Sequence, residues 1–408
     1  MKTGPLHVAI IGAGIGGLCL AQSLKQCNIS FDVYERDASL NSRNQGFRLR
    51  IDQTGQESLA ACLPQSLLAL LEKTAARPSP QVNMMDTHLR SVESRWVSDW
   101  HDNKVDGPSD LKVDRQTVRT ILMSGIQDHV HFDKRFVKFE TLEDMVVRSH
   151  FADGTTITSQ VLVAADGMHS RARDYRFPDA IPIDTGNVCL YGKTLLNEKN
   201  SKLIERRLQN GTSVIFDQDL AIVIDAMHFD SMPTGGEPEN PVKTPVTTQA
   251  DYVYWALIGK RARFGLRDTH DLQCSHAELL ALIQDISTSW SPAIMTLFDL
   301  VEPGMLALLP VKATQIIQPW IPGLVTALGD AIHAMSPASG LGANAALFDA
   351  AALGKALSLA QAGERSVIEA IGEYEKKMRD HSFSARVSSQ RGTKQLLGLD
   401  ESEPSATQ

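Results

Sequence analysis

Cysteine is scarce in this chain of 408 residues, and metal-binding patterns are absent. The five cysteines (Cys19, Cys27, Cys62, Cys189, Cys274) are odd in number, scattered, and never spaced as CxxC. That excludes a disulfide framework and predicts reduced, mostly buried thiols in an intracellular, cytoplasmic protein. The 12 histidines form no HExxH, so neither a metal centre nor a zinc hydrolase is expected. No uncharged apolar run approaches the roughly 18 residues of a membrane span. The opening stretch MKTGPLHVAIIGAGIGG is short and broken by glycines, which predicts a strand and a turn rather than a signal peptide. Positive charge is also in deficit: 40 Lys and Arg stand against 48 Asp and Glu, a net −8. This disfavours nucleic acid or an anionic membrane as a partner. There is no internal repeat and no coiled-coil pattern, so a monomer or weak dimer is expected.

What remains is an ordinary globular composition, 43% apolar and 22% charged. The length exceeds what one core usually holds, so two consecutive or interleaved domains are expected. Residues 6–11 (LHVAII) are continuously apolar, as in a strand buried on both faces. A helix over 15–27 and a strand over 31–35 complete a β-α-β unit. GFRLRI at 46–51 alternates like a strand. Residues 55–75 read as helical with a break at Pro64, and 114–126 as an amphipathic helix with Val118, Ile121 and Leu122 on one side. Short strands follow up to Asp166, with a turn at Asp153-Gly154. From about 185 to 265 the segments NVCLYGKTLL, TSVIFDQ, LAIVIDAMHF and DYVYWALIGKR are β-branched and aromatic, predicting an antiparallel sheet. Residues 230–249, rich in Pro, Gly and Thr, read as a long surface loop. Residues 275–300 are mainly helical, 324–330 a buried strand, 343–361 a helix, and 364–396 one or two amphipathic helices. The last residues read as a disordered tail.

Gly12-Ala13-Gly14-Ile15-Gly16-Gly17 fits GxGxxG between a strand and a helix, the context this fingerprint needs. The first glycine permits a tight turn. The second lets a pyrophosphate approach the backbone, and the last lets helix and strand pack closely. The helix start offers free N–H groups and a positive dipole end to the phosphates. Glu35, followed by Arg36, closes the second strand, where a carboxylate can accept hydrogen bonds from an adenosine ribose. The plain alternative is a glycine-rich turn with a chance acid; the ordered series of strand, turn, helix, strand and acid disfavours it. This unit alone leaves NAD and FAD open, since both carry ADP.

Two further motifs begin where apolar strands end. VLVAADGMHSRAR (161–173) holds D-G-x-x-S-x-x-R as Asp166, Gly167, Ser170 and Arg173. ALGDAIHAMSPASGLGAN (327–344) holds G-D-x-x-H, then Pro337, Gly340, Gly342 and Asn344. With the first fingerprint they resemble the single-component FAD-dependent aromatic hydroxylases of the p-hydroxybenzoate hydroxylase type. VYERD with GQESL, and DRQTVRTIL, resemble more specifically the tetracycline-inactivating and fungal natural-product monooxygenases. The likeness spans roughly residues 6–355.

The resemblance implies an α/β fold: a Rossmann-like FAD-binding domain (1–75, 105–182 and 301–361) interleaved with an antiparallel-sheet substrate domain (76–104 and 183–300). C-terminal helices (362–398) and a disordered tail (399–408) would complete it. It implies FAD as cofactor, NADPH or NADH as co-substrate, and O2, with a flavin C4a-hydroperoxide passing oxygen to an aromatic or polycyclic secondary metabolite. It assigns cofactor contacts to Gly12, Ala13, Gly14, Gly17, Glu35, Arg36, Gly46, Arg48, Arg115, Asp166, Asp330, Pro337, Gly340, Gly342, Ala343 and Asn344. Asp330 would bind the ribityl and pyrophosphate region. The helix starting near Gly342 would aim its N-terminus at the flavin pyrimidine ring, where reduced flavin is anionic. His333 reads as structural. Ile332 and Leu341 depart from the usual G-D-A-A-H and G-Q-G without removing a charge or a glycine.

No protein nucleophile is required, and no catalytic base is evident. Tyr191, Lys193 and Tyr254, on strands expected to face the flavin, are weak candidates for one, and Arg48 is a further weak catalytic candidate. Arg48 and Arg50 share a strand face; a solvated edge and a cationic wall for a NADPH phosphate or an anionic substrate are both open. A flavin halogenase is disfavoured because W-x-W-x-I-P is absent. An FAD-dependent reductase or dehydrogenase, or a flavin-binding protein with a non-redox or regulatory role, remains the alternative.

Overall fold

The computed structural model describes residues 6–42, 47–79, 81–93, 95, 109–230, 249–267, 272–315 and 317–399. Gly46, most of the 230–249 loop, all of 96–104 and the tail from 400 fall outside them.

A five-stranded sheet runs Val325–Ala327, Val161–Ala164, His7–Ile11, Ser30–Tyr34, Val130–His131 in spatial order, and every pairing is parallel. Parallel strands need their apolar residues covered on both faces. Val8 through Ile11 and Val161 through Ala164 are accordingly all buried. The helix Ile15–Gln26 covers one region, packed against Gly342–Gln361 and Arg115–Met123. Because the strands run the same way, all their carboxyl ends open on one edge, and the three motifs start there.

Helix boundaries follow local chemistry. Asp52 caps Gln53–Cys62 by accepting the Gly55 N–H, and Pro64 separates that helix from Gln65–Lys73. Asp114 caps Arg115–Met123 through the Gln116 and Thr117 N–H groups, both at 3.0 Å. A capping box between Ser366 and Glu369 starts a single 31-residue helix, Val367–Leu397. Tyr374 and Met378 of that helix join the nucleotide-side core, and Leu396 reaches the cluster of the second sheet.

The second sheet has six strands in the order Leu306–Ala313, Ile183–Leu195, Tyr252–Lys260, Leu220–Met227, Thr212–Asp217, Val82–Asp86. All pairings are antiparallel except the last. Leu306–Ala313 thus belongs to this sheet, although residues 301–361 were expected in the nucleotide-binding part. Pro310, which has no N–H to donate, is accommodated because the strand is an edge. Period 2 splits the sheet into two faces. Val253, Trp255 and Leu257 meet the helices His276–Ile286 and Pro292–Asp299. Tyr252, Tyr254, Ala256 and Ile258 face the other way, with Cys189, Tyr191 and Val223.

That second face carries a fully buried carboxylate. Asp225 meets Arg48 at 2.5 Å and Lys112 at 2.5 Å, and accepts from the Thr212 hydroxyl at 3.1 Å. Arg48 and Lys112 lie on the paired strands Arg48–Ile51 and Leu111–Asp114, so this cluster joins them to the larger sheet. Stripping one partner from a buried ion cluster leaves uncompensated charge, at a cost of about 3–5 kcal/mol. Asp225→Asn is therefore expected to lower the thermal midpoint by several degrees, read by circular dichroism. An unchanged midpoint would show that the cluster does not hold the sheets together.

Candidate nucleotide and substrate groove

The glycine turn is built from three separable constraints. Gly12 has φ +109, and a Cβ on it would stand 2.4 Å from the Ala165 carbonyl oxygen. A Cβ on Gly17 would meet the Gly12 carbonyl oxygen at 2.2 Å, so this glycine sets the helix-to-strand approach. Gly14 has an ordinary φ of −75, and a Cβ there would touch nothing within 4 Å. Its missing side chain leaves space open rather than relieving a clash.

The peptide between these glycines is held from both ends. The Ala13 N–H donates to Glu35 Oε2 at 2.8 Å. Arg119 donates from Nη2 to the Ala13 carbonyl at 3.1 Å and from Nη1 to that of Leu40 at 2.9 Å. Glu35 and Arg119 are both buried. Arg119 was not singled out in the sequence. Its only signal is that it lies one helical turn beyond Arg115, on the face with Leu122.

Two adjoining cavities, about 780 Å³ and about 330 Å³, run along the carboxyl ends of the parallel strands. Both are lined by Gly14, Arg115, Ala165, Gly167 and Asp330, which makes them one groove. Glu35, Arg36 and Asp166 line the larger cavity together with Asp330, so the two acids predicted to bracket a dinucleotide share one cavity. Pro337, Gly340, Gly342 and Ala343 line the smaller.

Asp330 is exposed and opens to both cavities. Desolvation raises its carboxyl pKa, opposed by His333 and then Arg115. Asp166 is likewise raised by burial, and its Oδ2 accepts the Arg171 N–H at 3.0 Å. The rest of that motif is a local tie. Ser170 caps the short helix Arg171–Arg176, and Arg173 donates to the Met168 carbonyl at 2.9 Å.

The remaining predicted residues divide. Arg48 and Arg50 both line the smaller cavity, yet Arg48 pairs with Asp225 and Arg50 with Asp110. The picture of a solvated edge does not hold: their side chains are 6% and 14% exposed. Asn344 is buried and does not face the groove. Its Oδ1 accepts the Asp52 N–H at 3.2 Å and its Nδ2 donates to the Arg50 carbonyl at 3.0 Å, pinning one helix start to another. Tyr254 lines the smaller cavity. Burial, then Cys189, hold its phenol above the ordinary value against Arg48, so it stays un-ionised at neutral pH. Tyr191 packs edge-on against Phe47 at 6.0 Å. Lys193 Nζ sits 4.6 Å from the Tyr252 ring and 5.2 Å from that of Phe47. Burial pulls its ammonium pKa down, against Asp114 and Glu302. Neither Tyr191 nor Lys193 lines these two cavities.

The wall facing Asp330 is made by Cys189, Val223, Tyr254, Ala256 and Ile258. Burial pushes the Cys189 thiol up to about 12, so it acts as an apolar lining. Alternation within DYVYWALIG was the available signal for this set, since Tyr254, Ala256 and Ile258 are two apart.

The residues fit a dinucleotide. Cβ positions on Gly14, Gly167 and Gly340 would meet no protein atom within 4 Å, so the backbone is open to a ligand along the groove. Two helix starts, at Ile15 and Gly342, border it without side-chain caps.

Fold and groove define a nucleotide-binding flavoprotein of two interleaved sheets. A family model for a FAD binding domain matches residues 284–385, and one for an NAD(P)-binding Rossmann-like domain matches 10–51. The chain is 33% identical to the dual O-methyltransferase/FAD-dependent monooxygenase CTB3 of Cercospora beticola, over 96% of this chain and 46% of that protein. It is 27% identical to the FAD-dependent monooxygenase phnB of Penicillium herquei, over 93% of this chain and 88% of that one. The chain thus spans about half the length of the first of these curated relatives. Among solved structures, a candidate FAD-containing monooxygenase of Photorhabdus luminescens superposes with TM-score 0.80 at 26% identity, over 97% of this chain and 100% of that chain. HpxO of Klebsiella pneumoniae, solved with FAD and uric acid, shares the fold at TM-score 0.73 and 22% identity, over 97% of this chain and 90% of that chain. The chain carries FAD-binding and NAD(P)-binding Rossmann-like domains, its cofactor is FAD, and it is similar to proteins named FAD-dependent monooxygenases.

Gly14→Ala isolates the ligand contact, because it adds one methyl group to open space at an ordinary φ. It is expected to weaken FAD binding about tenfold or more, equivalent to about 1.4 kcal/mol. The thermal midpoint of the FAD-free protein should hold. Equal affinity by flavin-fluorescence titration would remove the pyrophosphate from this turn.

Proposed function

We propose that this protein is a monooxygenase that uses NAD(P)H and O2 to hydroxylate or epoxidise an aromatic or polycyclic secondary metabolite. One observation carries the reading: the groove holding Glu35 and Asp330 continues into a cavity walled by an apolar sheet face. Bound FAD would supply the two-electron carrier and the position at which dioxygen is activated.

The chain's own residues bind, orient and exclude water. Gly12 through Gly17 and Glu35 would hold the ADP half, while Arg115 and Asp330 lie where the two cavities join. The helix start at Gly342-Ala343 would turn free N–H groups toward the end of the cofactor that gains negative charge on reduction. Val223, Ala256 and Ile258 would exclude water from the substrate side and favour a flat apolar ring system. Tyr254, an un-ionised phenol, would donate a hydrogen bond to a substrate oxygen rather than take a proton. The relatives that also carry an O-methyltransferase support a phenolic product, since a new ring hydroxyl is a group that methylation can cap.

Purified protein is expected to be yellow and to release FAD on denaturation. NADPH oxidation should consume O2 and accelerate with a polycyclic phenol. A yellow protein inert to NADPH would favour a binding or non-redox role, and NADPH oxidation without oxygen transfer to product would favour a reductase. Within the enzyme, Ala256→Phe is expected to lower kcat/KM for a polycyclic substrate about tenfold or more, with FAD content unchanged. An unaltered kcat/KM would place the substrate elsewhere.

A further inference from the structure

The histidine of G-D-x-x-H lies behind the groove. His333 is fully buried and lines neither cavity. Its Nε2 is 2.6 Å from Oδ2 of Asp349, a fully buried carboxylate on the Gly342–Gln361 helix. The same oxygen accepts the Gly329 N–H at 2.9 Å. Gly329 has φ +61, and the His333 N–H closes back on its carbonyl at 3.0 Å. Asp349 therefore grips both ends of the one-turn segment that presents Asp330.

The His333 imidazole is the side chain in contact with this buried carboxylate. Burial draws that imidazole down, but Asp349, with Asp330 behind it, holds it above the ordinary value. The remaining polar groups around the pair come from three other elements. Tyr374, on the long C-terminal helix, donates to the Ala327 carbonyl at 2.7 Å and feels the Asp349 charge. His381, on the same helix, stacks on Phe348 at 3.9 Å, and burial lowers its pKa. Asp52 acts on His381, and Arg115 acts on Asp330.

We propose that His333 and Asp349 are positioning residues for the flavin: a buried histidine–carboxylate pair behind the groove that fixes the Gly329–His333 turn and so keeps Asp330 aimed at the bound cofactor. The proposal rests on the flavin-binding role of the groove and not on the oxygen chemistry.

The sign of the pH effect follows. A histidine with a raised folded pKa contributes fully below its unfolded value of about 6.5 and loses that contribution as pH rises through the folded value. FAD affinity should therefore fall on the alkaline side. In Asp349→Asn, which keeps the shape and removes the charge, affinity is expected to drop about tenfold and the alkaline fall to move to lower pH. Asp349→Glu should restore part of both. A residue that only packs would shift the thermal midpoint without moving the pH profile. Should the asparagine variant fail to fold, the wild type still decides. Its His333 ring-nitrogen resonances, assigned with His333→Gln, should titrate at higher pH than those of an ordinary histidine. A His333 that titrates at or below the ordinary value, or Asp349→Asn with unaltered affinity and profile, overturns the proposal while leaving the monooxygenase reading in place. Loss of turnover in Asp349→Asn with an unaltered FAD titration likewise overturns the claim that the pair acts through binding.

Discussion

The Ala13 peptide is the point on which the groove depends. Glu35 takes its N–H and Arg119 its carbonyl, so the turn between strand and helix has one orientation. Both partners are buried, and both come from other elements: the end of the neighbouring strand and the helix Arg115–Met123. A buried backbone group with a charged partner is costly to leave unpaired, which makes the arrangement self-consistent. With the turn fixed, Gly14 presents open backbone to the cavity, and the helix dipole behind it has a defined direction.

The two sheets divide the work. The parallel sheet collects the three motifs on one edge because its strands share a direction. The antiparallel sheet needs only one face for its own core and spends the other on the groove. The joint between them is electrostatic as well as apolar. Asp225, on the second sheet, binds Arg48 and Lys112 on the small strand pair that leads back to the nucleotide side. The Val367–Leu397 helix spans the joint, with Arg386 donating to the Thr314 carbonyl at 3.1 Å and Ser389 to that of Ser336 at 2.9 Å. The Pro337–Gly340 turn that lines the cavity is therefore braced from outside.

Polar groups near the groove fall into two kinds. Glu35, Asp166, Asp330 and Arg115 open onto it, whereas Asn344, Ser170, Arg173 and Asp349 satisfy backbone groups behind it. Both kinds occur inside the same short motifs. A motif residue is thus no guide by itself to which side of the wall it serves.

Much of the fold could be read from the chain because the signals are local. A glycine-spaced turn between an apolar strand and a helix, a proline between two helices, and period-2 alternation over Tyr252–Lys260 each specify an element without reference to distant residues. The turn role of Gly12 and the packing role of Gly17 also followed from position alone, since both are distances along one short stretch. Tertiary structure decided the partners. That Arg48 meets Asp225 and Arg50 meets Asp110, that Lys193 is enclosed by aromatic rings, and that Asn344 ties two helix starts depend on chain segments brought together from far apart. Leu306–Ala313 joined the second sheet for the same reason: a strand's sequence encodes its alternation, but its neighbour is chosen by which edge is free.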